Sequence, residues 1–314
     1  MTSRTVASIL VACALAAGCG NYSNEDLEFM AAVPTSTELA VELPAAVNTV
    51  VEAELAQKTH DAIKTVNDSL VSVLALVDTF RAVAPTSRSS ESRTWGPFDD
   101  DKHAGWRWEL IVTRDPATPT TFMYALQAQN AAAAPGWLLF LSGSFDAAGG
   151  AKQGTGQVTA DFAALAAHDF PLDPGSAKLA NLTIAYQNFD LAGSPIVVSM
   201  TMNGVPDGTG AATTLSIVYE ILSDRSGEMA FTLTGNLIAG PATEVVLVNS
   251  QWLASGAGES TLKVAHGDGA GLEQTECWNS GFAATFNAKP WAPAEDFGSS
   301  DACPTLPPLA PLTP

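Results

Sequence analysis

The apolar residues of this chain change their period once, and that change constrains the fold more than any other feature. Between residues 59 and 80, Ile63, Val66, Leu70, Val73, Val77 and Phe80 recur at alternating steps of three and four. Such steps put them on one stripe of a long helix, which Pro44 opens. Lys58, Asp61, Lys64, Asn67 and Asp68 lie off the stripe, while Val71, Leu74 and Leu76 widen it. From Trp106 onward the period is two. Trp106, Trp108, Leu110 and Val112 alternate with Arg107, Glu109, Ile111 and Thr113, and Phe122, Tyr124, Leu126 and Ala128 follow the same rule. Further runs cover 137–145, 196–202, 215–221, 229–237, 245–252 and 261–266.

Turn residues separate these runs: Asp115-Pro116, Pro135-Gly136, Gly149-Gly150, Gly193-Ser194-Pro195, Asp207-Gly208 and Gly240-Pro241. Short connections make successive strands antiparallel neighbours. The expected fold is mainly β, an antiparallel meander of about ten strands curled into a barrel or half-barrel. The long N-terminal helix packs on it; a coiled-coil partner for its stripe is the alternative. A short helix or covering loop interrupts the meander at 160–173. The predicted organisation is a signal peptide at 1–18, a lipidated tether at 19–44, a single domain at 45–303, and a disordered tail at 304–314. That tail holds five prolines.

The division at residue 19 comes from the leader. Arg4 precedes an apolar run, residues 6–15, that is too short to span a bilayer. It ends in Leu15-Ala16-Ala17-Gly18-Cys19, where small residues let the chain lie extended in a protease groove. This stretch resembles the lipobox of bacterial lipoproteins, with Ala16 where Leu is usual. The resemblance implies a thioether-linked lipid on Cys19, cleavage before it and acylation of the new amine. Gly20 follows in place of the Asp that retains such proteins at the inner membrane, so the implied destination is the outer membrane. An ordinary secretory signal is the competing interpretation.

Charge narrows the partners. The 14 basic and 33 acidic residues give a net charge of −19, which repels phosphate backbones and makes nucleic acid an unsuitable partner. The membrane is contacted through the N-terminal lipid alone. Of the four cysteines, Cys13 leaves with the leader and Cys19 carries lipid. Cys277 and Cys303 are expected to pair in an oxidising compartment. No histidine near them in sequence favours a metal site instead.

Motifs for chemistry are sparse. Ser260-Thr261-Leu262-Lys263 has the S-x-x-K spacing of serine penicillin-binding enzymes, but in a strand an offset of three points the two side chains to opposite faces. His60, His103, His168 and His266 form no metal-spaced pair. Calcium could be drawn to 99–101, 207–210 or 267–269, although hairpin turns use the same residues. No cofactor and no catalytic residue is expected. Trp106, Trp108, Phe122, Tyr124 and Trp137 are the candidate ligand-facing residues, lining an apolar or sugar-stacking pocket if they do not simply form core.

As a whole the chain resembles a loose group of uncharacterised Gram-negative lipoproteins. They share a lipobox, a Phe-x-x-Ala-x-Pro-like patch (here Phe29 to Pro34), a long helix, Trp95-Gly96-Pro97, and Glu276-Cys277-Trp278 near the end of a β-meander. In plan it is also similar to the half-barrel lipoprotein carriers of the periplasm. The group implies no activity. The expected role is non-enzymatic binding or interaction at the envelope, with an unknown envelope protein or apolar ligand as partner. Carriage of a lipid inside the curled sheet is the runner-up, and an envelope hydrolase the third class.

Overall fold

The computed structural model describes residues 22–44, 52–130, 136–173, 176–190, 195–206, 210–238, 240–309 and 312–314. The predicted signal peptide and Cys19 lie outside them. Three α-helices occur among the described residues: α1 (Asn24–Ala31), α2 (Glu54–Arg81) and α3 (Phe162–Ala166). The strands begin with β1 (Ser87–Arg88), β2 (Ser92–Asp99), β3 (Trp106–Arg114), β4 (Thr121–Asn130), β5 (Leu138–Gly150) and β6 (Gln153–Asp161). They continue with β7 (Asn181–Gln187), β8 (Ile196–Pro206), β9 (Ala212–Ile221), β10 (Gly227–Gly235) and β11 (Glu244–Trp252). The last four are β12 (Gly258–His266), β13 (Glu273–Trp278), β14 (Ala284–Ala288) and β15 (Phe297–Gly298).

All fifteen strands form one antiparallel sheet in sequence order. The expectation of about ten strands was therefore low. The missed strands are short or rich in Gly, Thr and other polar residues, such as Gly154-Thr155-Gly156-Gln157 in β6. Of the two expected forms, barrel or half-barrel, the closed barrel is corrected. Among the described residues β1 pairs only with β2 and β15 only with β14, so the sheet stays open. Each edge strand is two residues long, which offers little ladder for another chain to join.

Helix α2 occupies the inner face. Its stripe is as read: Val66, Leu70, Val73 and Val77 are fully buried, with Ile63 and Phe80 nearly so. The stripe packs on this chain's own sheet, in one core with the inward residues of β2 to β12, and not on a coiled-coil partner. Two details differ from expectation. The helix starts at Glu54, not at Pro44, and Val71 is 53% exposed, so it does not widen the stripe. Near one end of the helix, Leu55 N–H donates to Glu276 on β13; near the other, Phe80 stacks on Phe98 of β2, ring centroids 5.5 Å apart. Laid flat, strands eleven places apart would be ~53 Å apart, while the 25 helical residues between these contacts span only ~38 Å. The sheet is therefore bent around the helix.

The curvature uses close approach between glycines and rings. A Cβ on Gly143 would lie 2.2 Å from the Tyr124 ring, and one on Gly258 would lie 2.5 Å from the Trp278 ring. A glycine in a strand lets a neighbouring aromatic ring fold down over the backbone. At one end of the sheet a single turn recurs three times. Leu222 N–H bonds Ser226 O, Leu253 N–H bonds Ala257 O, and Asn279 N–H bonds Ala283 O. Arg225, Gly256 and Phe282 respectively take positive φ in these turns. Trp252 at the end of β11 and Trp278 at the end of β13 each donate an indole N–H to the preceding turn of this series, at Arg225 O and Gly256 O.

The segment read as a tether is docked from Tyr22 on. Phe29, Val33, Leu39 and Val41 are buried, because an apolar residue at each of these steps reaches the core left open at the sheet's rim. Ser23 and Asp26 form a capping box on α1, and Asp26 pairs with Arg93 of β2 and Arg88 of β1. The proline-rich tail, expected to be disordered, lies on the sheet: Gln251 Nε2 donates to Pro307 O at 2.6 Å. Cys277 and Cys303 are disulfide-bonded, as expected, tying the start of that tail to β13. Closing a loop of 26 residues stabilises the fold by about 3 kcal/mol in the chain-entropy account.

Candidate functional site

Four of the five aromatic candidates share the inner face of β3 and β4. Trp106, Trp108, Phe122 and Tyr124 are only 3–6% exposed. They are packed against partners and do not front open space. Trp106 and Trp108 meet Phe170 edge-on at 5.0 and 5.4 Å, and Phe122 meets Phe29 of α1 at 5.4 Å. The Tyr124 and Tyr186 hydroxyls lie 3.2 Å apart, and burial pushes both phenols up. Neither main cleft among the described residues is lined by any of these side chains. Trp137 lies apart from them, half-buried beneath the Arg107 guanidinium at 5.5 Å.

The other candidates resolve into structural contacts. Ser260 is buried on β12 while Lys263 is exposed on the opposite face, as the strand interpretation requires. Ser260, Ser250 and Thr59 form a buried chain of hydroxyls that ends on Leu55 O. The four histidines do not converge on it: His60 pairs with Glu52, His103 with Asp100, and His168 and His266 are exposed. Asp100 accepts from Lys102 N–H, His103 N–H and Trp108 Nε1, and Asp268 from Ala242 N–H, so both carboxylates fasten loops. Residues 207–209 lie outside the described residues. Glu259 and the two sulfurs of Cys277 and Cys303 have metal-like spacing, but the sulfurs are bonded to each other and present no thiolate.

One buried carboxylate anchors the central helix. Ala53, the residue that caps α2, has no side-chain acceptor. Glu276 supplies it from β13, taking Glu54 N–H at 3.0 Å and Leu55 N–H at 2.5 Å. Burial pushes its carboxyl up, although these N–H groups favour the ionised form. The Glu-Cys-Trp motif is thus a helix cap, a disulfide half and a turn cover in three successive residues.

The larger cleft lies elsewhere, on the outer face of β10 to β12 beneath the C-terminal tail. Its volume is about 330 Å³. The floor carries a cross-strand row in which Glu228 of β10 pairs with Glu220 of β9 and Gln251 of β11, and Gln251 pairs with Glu259 of β12. The roof is Leu306, Leu309 and Leu312. Leucines three apart fall on one side of a polyproline-type chain, which has three residues per turn. Glu228 is 9% exposed, and its Oε1 is buried with no hydrogen-bond partner. Burial, and then the charge of Glu220, push its carboxyl up to about 7.

No family model, no curated protein and no solved structure matches this chain. The site therefore has to be read from its own geometry.

That geometry makes a direct prediction. A carboxyl whose pKa is raised by folding favours the folded state below its unfolded value, near 4.5, and loses that advantage as pH rises through about 7. Glu228→Gln keeps the shape and removes the ionisation. The variant should be more stable than the parent at pH 8 by about 2–3 kcal/mol. The gap should close below about pH 4.5 in paired denaturant titrations.

Local sequence pattern hardly marks this cleft. Glu220, Glu228 and Glu259 are 39 residues apart at the extremes, and only the register of four strands puts them in a row. The legible signal was the period of three in Leu306, Leu309 and Leu312 within a proline-rich segment.

Proposed function

We propose that this chain is an envelope lipoprotein, anchored at the outer membrane by a lipid on Cys19, whose folded body is a non-enzymatic binding scaffold. The observation that carries the scaffold reading is α2 in the trough of the sheet, where Val66, Leu70, Val73, Leu74 and Val77 are completely buried. A carrier of the half-barrel kind would keep its ligand in that volume. The helix uses the inner surface for stability, which leaves the outer face and the rim for recognition.

The position of α1 sharpens the anchoring. The described residues begin at Tyr22, three residues after Cys19, and Ser23 and Asp26 already cap α1. Three extended residues reach at most about 10 Å. A lipid on Cys19 would hold the body close against the bilayer, with no long spacer. No helix among the described residues is long and apolar enough to cross a membrane.

The test is expression of the full chain and of Cys19→Ala in a Gram-negative host. The parent is expected in the outer-membrane fraction with an acylated N-terminal Cys19, detected by intact-mass analysis. The variant is expected in the soluble periplasmic fraction. An unmodified Cys19 in the parent, or a variant that stays with the membrane, would sink the anchoring. Stoichiometric lipid retained by the purified variant would sink the scaffold reading in favour of a carrier.

A further inference from the structure

The cleft beneath the C-terminal tail has a feature that fold stability does not account for. Glu228 is more than nine-tenths buried, and Oε1 meets no donor. A buried acceptor left without a partner costs stability, more so when it belongs to an ionisable group. Its neighbours across the strands make matters worse: Glu220 adds negative charge from β9, and Glu259 lies beyond Gln251 on β12. Gln251 does not relieve the strain, because its amide N–H₂ is turned to Pro307 O in the tail. The arrangement has acceptors in excess and donors in deficit.

The two walls of the cleft differ in kind. The floor contributes Glu228, Glu259, Asn249, Gln251 and Thr261, while the roof contributes only leucines. A bare calcium ion takes oxygens from all sides, six to eight of them, and a leucine roof supplies no side-chain oxygen, while its Pro307 carbonyl is already taken by Gln251. An ammonium carried on an apolar arm suits both walls, with its N–H donors toward the carboxylates and its arm toward the leucines. A volume of about 330 Å³ is at the small end for a small-molecule site. The disulfide holds the start of the roof in place, since Cys303 is bonded to Cys277, which pairs with Glu259 in the same cross-strand row.

We propose that the cleft between the outer face of β10 to β12 and the C-terminal tail binds a primary organic ammonium with an apolar arm, held by Glu228 and Glu259 beneath Leu306, Leu309 and Leu312. The site deepens the scaffold reading by naming a ligand class, but it is independent of the lipid on Cys19.

The experiment titrates the full chain with n-hexylammonium chloride by calorimetry, alongside n-hexanol and calcium chloride. The expected result is saturable one-to-one binding of n-hexylammonium. Glu228→Gln should weaken it by about tenfold or more, the loss of one charge-assisted contact. Leu309→Ala, which leaves both carboxylates in place, should weaken it too. Circular dichroism of both variants should match the parent. Absence of saturable ammonium binding would overturn the proposal. So would equal binding of n-hexanol, which would make the cleft an apolar slot, or Glu228-dependent binding of calcium in preference to the ammonium. Failure of the Cys19→Ala fractionation would not affect any of these outcomes.

Discussion

Replacing Arg93 with methionine is expected to destabilise the fold by about 4 kcal/mol, because it strands a buried carboxylate. Arg93 is 2% exposed on β2. Its Nε meets Asp26 Oδ1 at 2.5 Å, its Nη2 meets Glu25 Oε2 at 2.8 Å, and its guanidinium lies 4.6 Å from the Phe29 ring centre. Burial alone would raise the Asp26 carboxyl. Hydrogen bonds from Ser23 N–H, Arg93 and Arg88 outweigh it and bring the carboxyl down to about 2. Without Arg93, the Ser23 N–H and the half-exposed Arg88, 3.1 Å from Oδ2, are the donors left to Asp26.

The pH dependence identifies the cause. A carboxyl depressed by folding contributes stability above its unfolded value, near 3.8, and that contribution is lost as pH falls through about 2. The difference between parent and Arg93→Met should therefore be full at pH 5 and above, and shrink between about pH 4 and pH 2. Urea midpoints across that range measure it. A loss that stays constant with pH would assign the effect to packing over Phe29 instead. Adding Asp26→Asn to the variant should recover part of the stability, since the stranded charge is then gone.

Leu70→Ala should cost about 3–4 kcal/mol, and Val71→Ala, one residue along, less than about 0.5 kcal/mol. Leu70 is fully buried between α2 and the sheet, whereas Val71 is 53% exposed. The cavity left by Leu70 cannot collapse easily, because the strands lining the trough are held by ladders on both sides. Thermal unfolding of the pair reads the contrast. A cost below about 1 kcal/mol for Leu70→Ala would mean that the helix is not wedged in the trough, and it would restore the case for a carrier.

Much of this architecture was legible before any coordinates. The stripe Ile63, Val66, Leu70, Val73, Val77 and Phe80 was readable because helical period depends on local spacing alone. Alternation in β3, β4, β8 and β9 was readable for the same reason, and the disulfide was expected from the cysteine count and the compartment that the lipobox resemblance implies. The strand number was not. β6, β13 and β14 carry Gly, Thr, Glu and Asn where an apolar alternation would be looked for, and their pairing partners decide that they are strands. Four of the five aromatic candidates share one face, Trp137 being the exception, yet whether such a face is core or cavity depends on what covers it. Phe170, Phe140 and Phe29 arrive from three separate segments to do so.

The opening feature, one change of apolar period, determined by itself that a helix precedes an antiparallel meander, and the resemblance of residues 6–19 to a lipobox leader is what makes Cys19 the proposed lipid site. Both are local properties, written in neighbouring residues. Only the tertiary structure decided that the sheet remains open and that α2 fills it. It also decided that the tail, far from being loose, closes a cleft over Glu228. Those outcomes depend on register and curvature summed over fifteen strands, through which residues as distant as Glu228 and Leu312 come to border one small volume.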